Sequence, residues 1–224
     1  MKKLSLLCTL FVLLLINASN AQQTDVYNKN GYKLTFINYD STLDTALHTT
    51  MVNTFYKVYP VLVNAYNPES MKEVVFVIDT TYKGVAETGR GRVRISSHWM
   101  HQHPEDIDVI THEVMHIVQG YGGRSGGPGW LTEGIADYAR YKYGINNDAA
   151  HWSLTPFKST QSYTNSYRIT ARFLAWIENK VKPGVVKDFD GQLRAHAFTV
   201  DSWKTATGKT LDELWADYSA NPVI

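Results

Sequence analysis

Cysteine is almost missing from this chain: of 224 residues only Cys8 carries a thiol, and it falls within an N-terminal apolar stretch. The rest of the chain therefore has no disulfide, no thiolate nucleophile and no cysteine-closed metal site. Long apolar runs are scarce too. The one from Leu4 to Ile16 has about 13 residues, short of the roughly 20 that a membrane-spanning helix needs, and no later run matches it. Charge of one sign is also lacking, with 22 Lys and Arg against 21 Asp and Glu. No polybasic tract stands out, so neither nucleic acid nor an anionic membrane surface is expected as a partner. Internal repeats and low-complexity segments are absent, and glycine and proline cluster only at 119–129 and 183–184.

What is present begins with an export signal: Lys2 and Lys3, the apolar run, then the small-residue pattern Ser19, Asn20, Ala21. Cleavage is expected near Ala21, giving a secreted or periplasmic protein that has no membrane association once the signal is removed. Removal takes two of the 22 basic residues and none of the 21 acidic ones, which leaves a formal charge near minus one. Residues 22–224 are expected to form one domain, with a sheet-containing part at about 30–120 and a helical part at about 121–224, and to act as a monomer. That length buries a sizeable core without disulfides. About ten residues separate the cleavage point from the first expected strand, so no long propeptide is anticipated.

Tyr32–Asn38 alternates like a strand, and Thr42–Ala65 carries Leu43, Ala46, Met51, Phe55 and Val58 at helical spacing. Met71–Asp79 reads as a buried strand, and segments 84–88 and 92–97 flank Gly89, Arg90 and Gly91 as a hairpin. A helix is expected over 104–119, with Pro104 in its first turn, Glu105 and Asp106 beside it and Gly120 closing it. Further helices are expected at 131–143, 164–181 and 185–196, and a last one starts from the capping box Thr210 with Glu213. Sheet first and helices after is an α+β order. The six tryptophans are expected mainly in the core.

Within the 104–119 helix stand His112, Glu113, Val114, Met115 and His116. Positions i and i+4 share one helix face, so two imidazoles can converge on one ion. Glu113 lies beside the first of them, where its carboxylate can reach a water without binding the metal and can act as a general base. A third ligand is found in Glu133, 17 positions on (133 against 116), after a Gly-rich turn that lets the chain reverse. Two imidazoles and one carboxylate match an open catalytic Zn2+ site better than a calcium or magnesium site. Asp137, at i+4 from Glu133, is placed to orient an imidazole, that of His112.

The HExxH string followed by a glutamate on the next helix is the gluzincin arrangement, and WLTEG resembles the WLxEG pattern of those metallopeptidases. Read together, HEVMHIVQGYG, GPGWLTEGIADYARYKYG, SYRITARFLAWIE and TGKTLDELWADY resemble the plant basic secretory protein family and its bacterial relatives, from about residue 72 onward. The resemblance implies a zincin-like fold and a secreted zinc metallopeptidase, with His112, His116 and Glu133 on the metal and Glu113 as base. A peptide or protein substrate follows from that reading. The near-neutral mature chain departs from the family's basic character. Tyr167, in the SYRITARFL segment, is the candidate donor to the oxyanion that hydrolysis builds. Arg172 is expected to pair with a buried acid. His98, His101 and His103 have no carboxylate or cysteine at fixed spacing and read as loop or cap histidines. Val93–Ser97 is expected as the edge strand that pairs with extended substrate. The competing reading is a secreted binding or defence-like protein that keeps this frame without turnover; an intact Glu113 speaks against it.

Overall fold

The computed structural model describes residues 22–122 and 127–224; the expected export signal and Cys8 lie outside the described residues. Strands β1 (Gln23–Lys29) and β2 (Tyr32–Asn38) form an antiparallel hairpin. Its turn is Asn30-Gly31, with φ 54° and 79°, the positive-φ pair that suits the twist of a two-residue hairpin. β1 was not expected from its polar sequence QTDVYNK; pairing with β2 supplies what its own side chains do not. The gap of about ten residues anticipated before the first strand therefore shrinks to Gln22 alone.

Helix α1 (Thr45–Tyr66) starts on Asp44, whose carboxylate accepts the Leu47 N–H at 2.9 Å. It crosses over to β3 (Glu73–Asp79), which lies parallel to β2, as such a long connection permits. Phe55 of α1 meets Phe76 of β3 edge to face at 5.6 Å, and Phe36 of β2 lies 6.3 Å from Phe76. All three are fully buried, each contributing roughly 1.5–3 kcal/mol by leaving water. The sheet has the order β1-β2-β3-β5-β4, where β4 is Ala86–Gly89 and β5 is Arg92–Ser96. β5 pairs in parallel with β3 and antiparallel with β4. The 93–97 segment is thus an interior strand, and β4 is the edge.

Ser96 caps a short helix, α2 (Ser97–Gln102), by accepting the Trp99 N–H. The helix expected from Pro104 starts instead at Val109, as α3 (Val109–Gln119). Pro104 keeps His103 out of the helical region, at φ −136° and ψ 61°. The nearby acids anchor loops: Asp106 accepts from Trp99 Nε1 at 2.9 Å and from Arg140 Nη2 at 2.5 Å, and Asp108 accepts from Thr111 Oγ1 at 2.7 Å. Gly120 closes α3 in the left-handed conformation, φ 56°.

The second half contains α4 (Gly129–Tyr143), α5 (Tyr167–Lys180), α6 (Val185–Arg194), α7 (Ser202–Thr207) and α8 (Leu211–Ala220), so the molecule is α+β. The expected capping box on Thr210 and Glu213 is formed. An aromatic core joins Phe173, Trp203, Tyr218 and Phe189, all with 1% exposure or less, whereas Trp99 and Trp152 line the cleft described below. A Cβ on Gly134 would stand 2.3 Å from Thr170 Cγ2, so glycine lets α5 lie tightly across α4 just beyond Glu133. Among the described residues Arg172 meets no acid: its Nη2 donates to the Pro222 carbonyl at 3.1 Å and fastens the C-terminal tail.

One side chain ties the halves together. The Arg194 guanidinium donates to the carbonyls of Tyr66 at 2.7 Å, Gln119 at 3.2 Å and Val118 at 3.4 Å, and to the Asp190 carboxylate at 2.7 Å. It thereby caps the last turns of α1 and α3 from α6.

Candidate metal centre

α3 is buried along nearly its whole length; its apolar residues Ile110, Val114 and Val118 are sealed in the core. That packing fixes the direction in which its polar residues point. Asn67 Nδ2 donates to the Val118 carbonyl at 2.8 Å and adds a further anchor to its end. His112 and His116 emerge on one side with their Nε2 atoms 3.1 Å apart. Glu133, from the start of α4, brings Oε2 to 3.3 Å from His112 Nε2 and 3.5 Å from His116 Nε2. Each of the three residues offers one atom to a cluster within 4.8 Å.

The hydrogen bonds behind these atoms decide what the cluster can hold. His112 Nδ1 lies 2.7 Å from Asp137 Oδ1, and His116 Nδ1 lies 2.7 Å from Gln119 Oε1. Both partners are acceptors there, so both imidazoles carry their proton on Nδ1, an assignment that follows from the network. Both Nε2 atoms then present lone pairs to each other and to a carboxylate oxygen. Three converging acceptors repel one another unless a cation lies among them, and the set of two imidazoles and one carboxylate suits zinc.

The electrostatics agree. Burial works to lower the His112 imidazole, yet hydrogen bonds with Asp137 and Glu133, joined by the charges of Asp137 and Glu113, push it up to about 10, so that a proton on Nε2 takes the cation's place when no metal is bound. Burial likewise works to raise Glu133, but the two imidazoles hold its carboxyl well below the usual range. The recess is anionic and favours a positive occupant.

Glu113 is 6% exposed. Its Oε2 accepts a 2.6 Å hydrogen bond from Thr88 Oγ1 on β4. Tyr167, the first residue of α5, stacks over His112 with ring centroids 6.2 Å apart and remains 55% exposed. The charge of Glu133, then burial and the charges of Asp137 and Glu113, raise its phenol, so it stays a neutral O–H donor. Both Ser166 and Tyr167 have positive φ, 67° and 48°, a strained entry to α5 of the kind that clusters at functional sites. The structure therefore brings His112, His116 and Glu133 together, places Asp137 behind His112 and sets Tyr167 at the rim.

Two contributors escape sequence reading. Gln119 holds His116 through Oε1 and donates from Nε2 to the Thr132 carbonyl at 2.9 Å; its i+3 spacing from His116 is a signal that could find it. Thr88 lies on another element and carries no local signal.

These groups sit in an open cleft of about 1860 Å³. One wing carries Trp99, Asp106 and Trp152 near the start of α3, and the other carries Asn67, Met71 and Arg90 near its end. The second histidine group is dispersed: His101 Nε2 lies 2.7 Å from Asp40 Oδ2, His103 packs on Trp99 at 4.0 Å, and His98 borders a separate small pocket.

Comparison with known proteins gives a family and a fold. A family model described as BSP, peptidase of plants and bacteria, matches residues 14–218. No curated protein matches by sequence. Two crystal structures of an M1 zinc metallopeptidase from Deinococcus radiodurans are similar in fold. One, a mutant bound to a Tyr-Ser-Ala substrate, has a TM-score of 0.56 at 14% identity, covering 91% of this chain and 53% of that one. The other has a TM-score of 0.52 at 14% identity, with 91% and 52% covered. The chain spans about half their length, and at that identity the likeness is one of fold alone.

Proposed function

The chain belongs to the BSP family, the peptidases of plants and bacteria, and from that premise we propose that it is an exported zinc-dependent peptidase acting through His112, His116, Glu133 and Glu113. The observation that carries this reading is the convergence of three acceptor atoms, two imidazole nitrogens and one carboxylate oxygen, at 3.1 to 3.5 Å from one another. His112, His116 and Glu133 would hold the ion. Zinc held by these residues would supply a water of lowered pKa and an electrophile for the scissile carbonyl.

The remaining work falls to the chain. Asp137 and Gln119 lock both imidazoles in the tautomer that leaves Nε2 free. Glu113 lies next to the first ligand without joining the ligand set, where its carboxylate takes the proton from the attacking water and passes it to the leaving amine. Tyr167 donates its phenolic O–H to the oxygen that gains negative charge. No side chain need form a covalent bond with substrate. The N-terminal segment directs export, with cleavage near Ala21.

Metal analysis by mass spectrometry together with profiling on a mixed peptide library tests the proposal. One equivalent of zinc and cleavage of a subset of peptides are expected. Glu113→Gln should keep the zinc and lose at least about a hundredfold in kcat, the usual scale for a general base; undiminished cleavage by that variant refutes the mechanism.

A further inference from the structure

Glu113 is buried and lines the cleft, and what holds its carboxylate there comes from the sheet. Among the described residues, Thr88 is the one hydrogen-bond partner of its carboxylate, at 2.6 Å from Oε2. The same hydroxyl lies 3.1 Å from the Glu113 backbone carbonyl. A threonine has one hydroxyl proton, and the shorter contact, to a charged acceptor, takes it.

We infer that Thr88 is a positioning residue for the general base: its hydroxyl fixes Glu113 through Oε2 and leaves Oε1 as the oxygen that meets the water. This rests on the peptidase reading above. Three features support it. Glu113 has three rotatable side-chain bonds, so a carboxylate fixed only at its Cα would sample several positions; a base misplaced by about 1 Å can cost a hundredfold. The tether also comes from β4, an edge strand, whose neighbouring residue Glu87 pairs with Arg94 at 3.2 Å, away from Thr88. Substrate entering the cleft beside β4 therefore meets the strand that also aims the base, which couples seating of the peptide to readiness of Glu113. Finally, among the described residues the Thr88 hydroxyl bonds to Glu113 and to none of His112, His116 and Glu133, so its effect is separable from metal binding.

Thr88→Val keeps the branched shape that the strand favours and removes the hydroxyl; Thr88→Ser removes the methyl and keeps the hydroxyl. With a peptide found in the library profile as reporter, Thr88→Val is expected to retain one equivalent of zinc and its melting temperature to within a few degrees. Its kcat should fall about ten- to a hundredfold while KM changes by less than about threefold. Thr88→Ser should recover to within about threefold of the wild type. A Thr88→Val enzyme with wild-type kcat overturns the assignment. So does a serine variant as poor as the valine one, because the methyl would then matter, and so does loss of zinc in step with activity, because the hydroxyl would then be holding the helix. A crystal structure of zinc-loaded Thr88→Val gives a readout apart from turnover: the Glu113 carboxylate should leave its place by about 1 Å or more, and an unmoved carboxylate overturns the inference. If the wild type cleaves nothing, the peptidase reading fails at once, and the crystal structure still decides whether Thr88 holds Glu113.

Discussion

Two neighbouring stretches of this chain are rich in histidine, and they meet opposite fates. His112 and His116 lie four residues apart on a buried helix, face Glu133 and have their outer nitrogens engaged by Asp137 and Gln119. His98, His101 and His103 lie on or just beyond the six-residue α2 and point three ways, to a side pocket, to Asp40 and onto Trp99. The number of histidines is similar; the difference lies in what stands behind them. A ligand imidazole needs an acceptor on its far nitrogen and a carboxylate arriving from another element, and only the first group has both.

The comparison can be broken most severely at the carboxylate. Glu133→Ala removes one of the three converging acceptors and should lower bound zinc below half an equivalent and activity by more than about a thousandfold, on the scale of losing a metal-dependent step; mass spectrometry on His101→Ala should meanwhile show full metal. If Glu133→Ala kept its zinc, or His101→Ala lost it, the contrast between the two groups would vanish. Asp137→Asn is gentler, since the amide can still accept from His112 Nδ1 but carries no charge. Competition with a chelator should show zinc affinity weakened about ten- to a hundredfold, and an unchanged affinity would make Asp137 a bystander.

The smallest effect belongs to the second group and is read in acid. Asp40 is buried, which works to raise its carboxyl, but hydrogen bonds from Ser97, Thr42 and His101 hold it well below the usual carboxylate range. A carboxyl depressed in the folded state stabilises the fold above its unfolded value, near 4, and that contribution fades as pH falls below it. Denaturation followed from pH 6 downward should therefore show a steeper loss of stability for the wild type than for Asp40→Asn. Equal slopes would mean that the Asp40 cluster contributes nothing in acid.

How far the sequence carries the argument varies by element. β2, β3 and α1 are legible because period-2 and helical apolar patterns decide them, and the capping box at Thr210 because it is a local chemical signal. β1 is not, since its stability lies in pairing with β2; the Asn30-Gly31 turn is the clue it offers. The start of α3 misleads because Glu105 and Asp106 look like helix-first-turn acids, whereas Asp106 instead holds Trp99 and Arg140. At the site, the spacing of His112 and His116 and the return of Glu133 can be read from the string. The Thr88 contact cannot, since it joins residues 25 positions apart (113 against 88) on a strand and a helix.

Arg194 has a consequence for the order in which this molecule can be completed. His116 relies on Gln119, and the turn that carries Gln119 ends on carbonyls gripped by a guanidinium some 75 residues further along. On a ribosome, the emerging chain presents both histidines long before that grip exists. Until residue 194 has been made, the end of α3 and the Gln119 that holds His116 lack that grip, so this corner of the site is among the last parts of the molecule to be fastened.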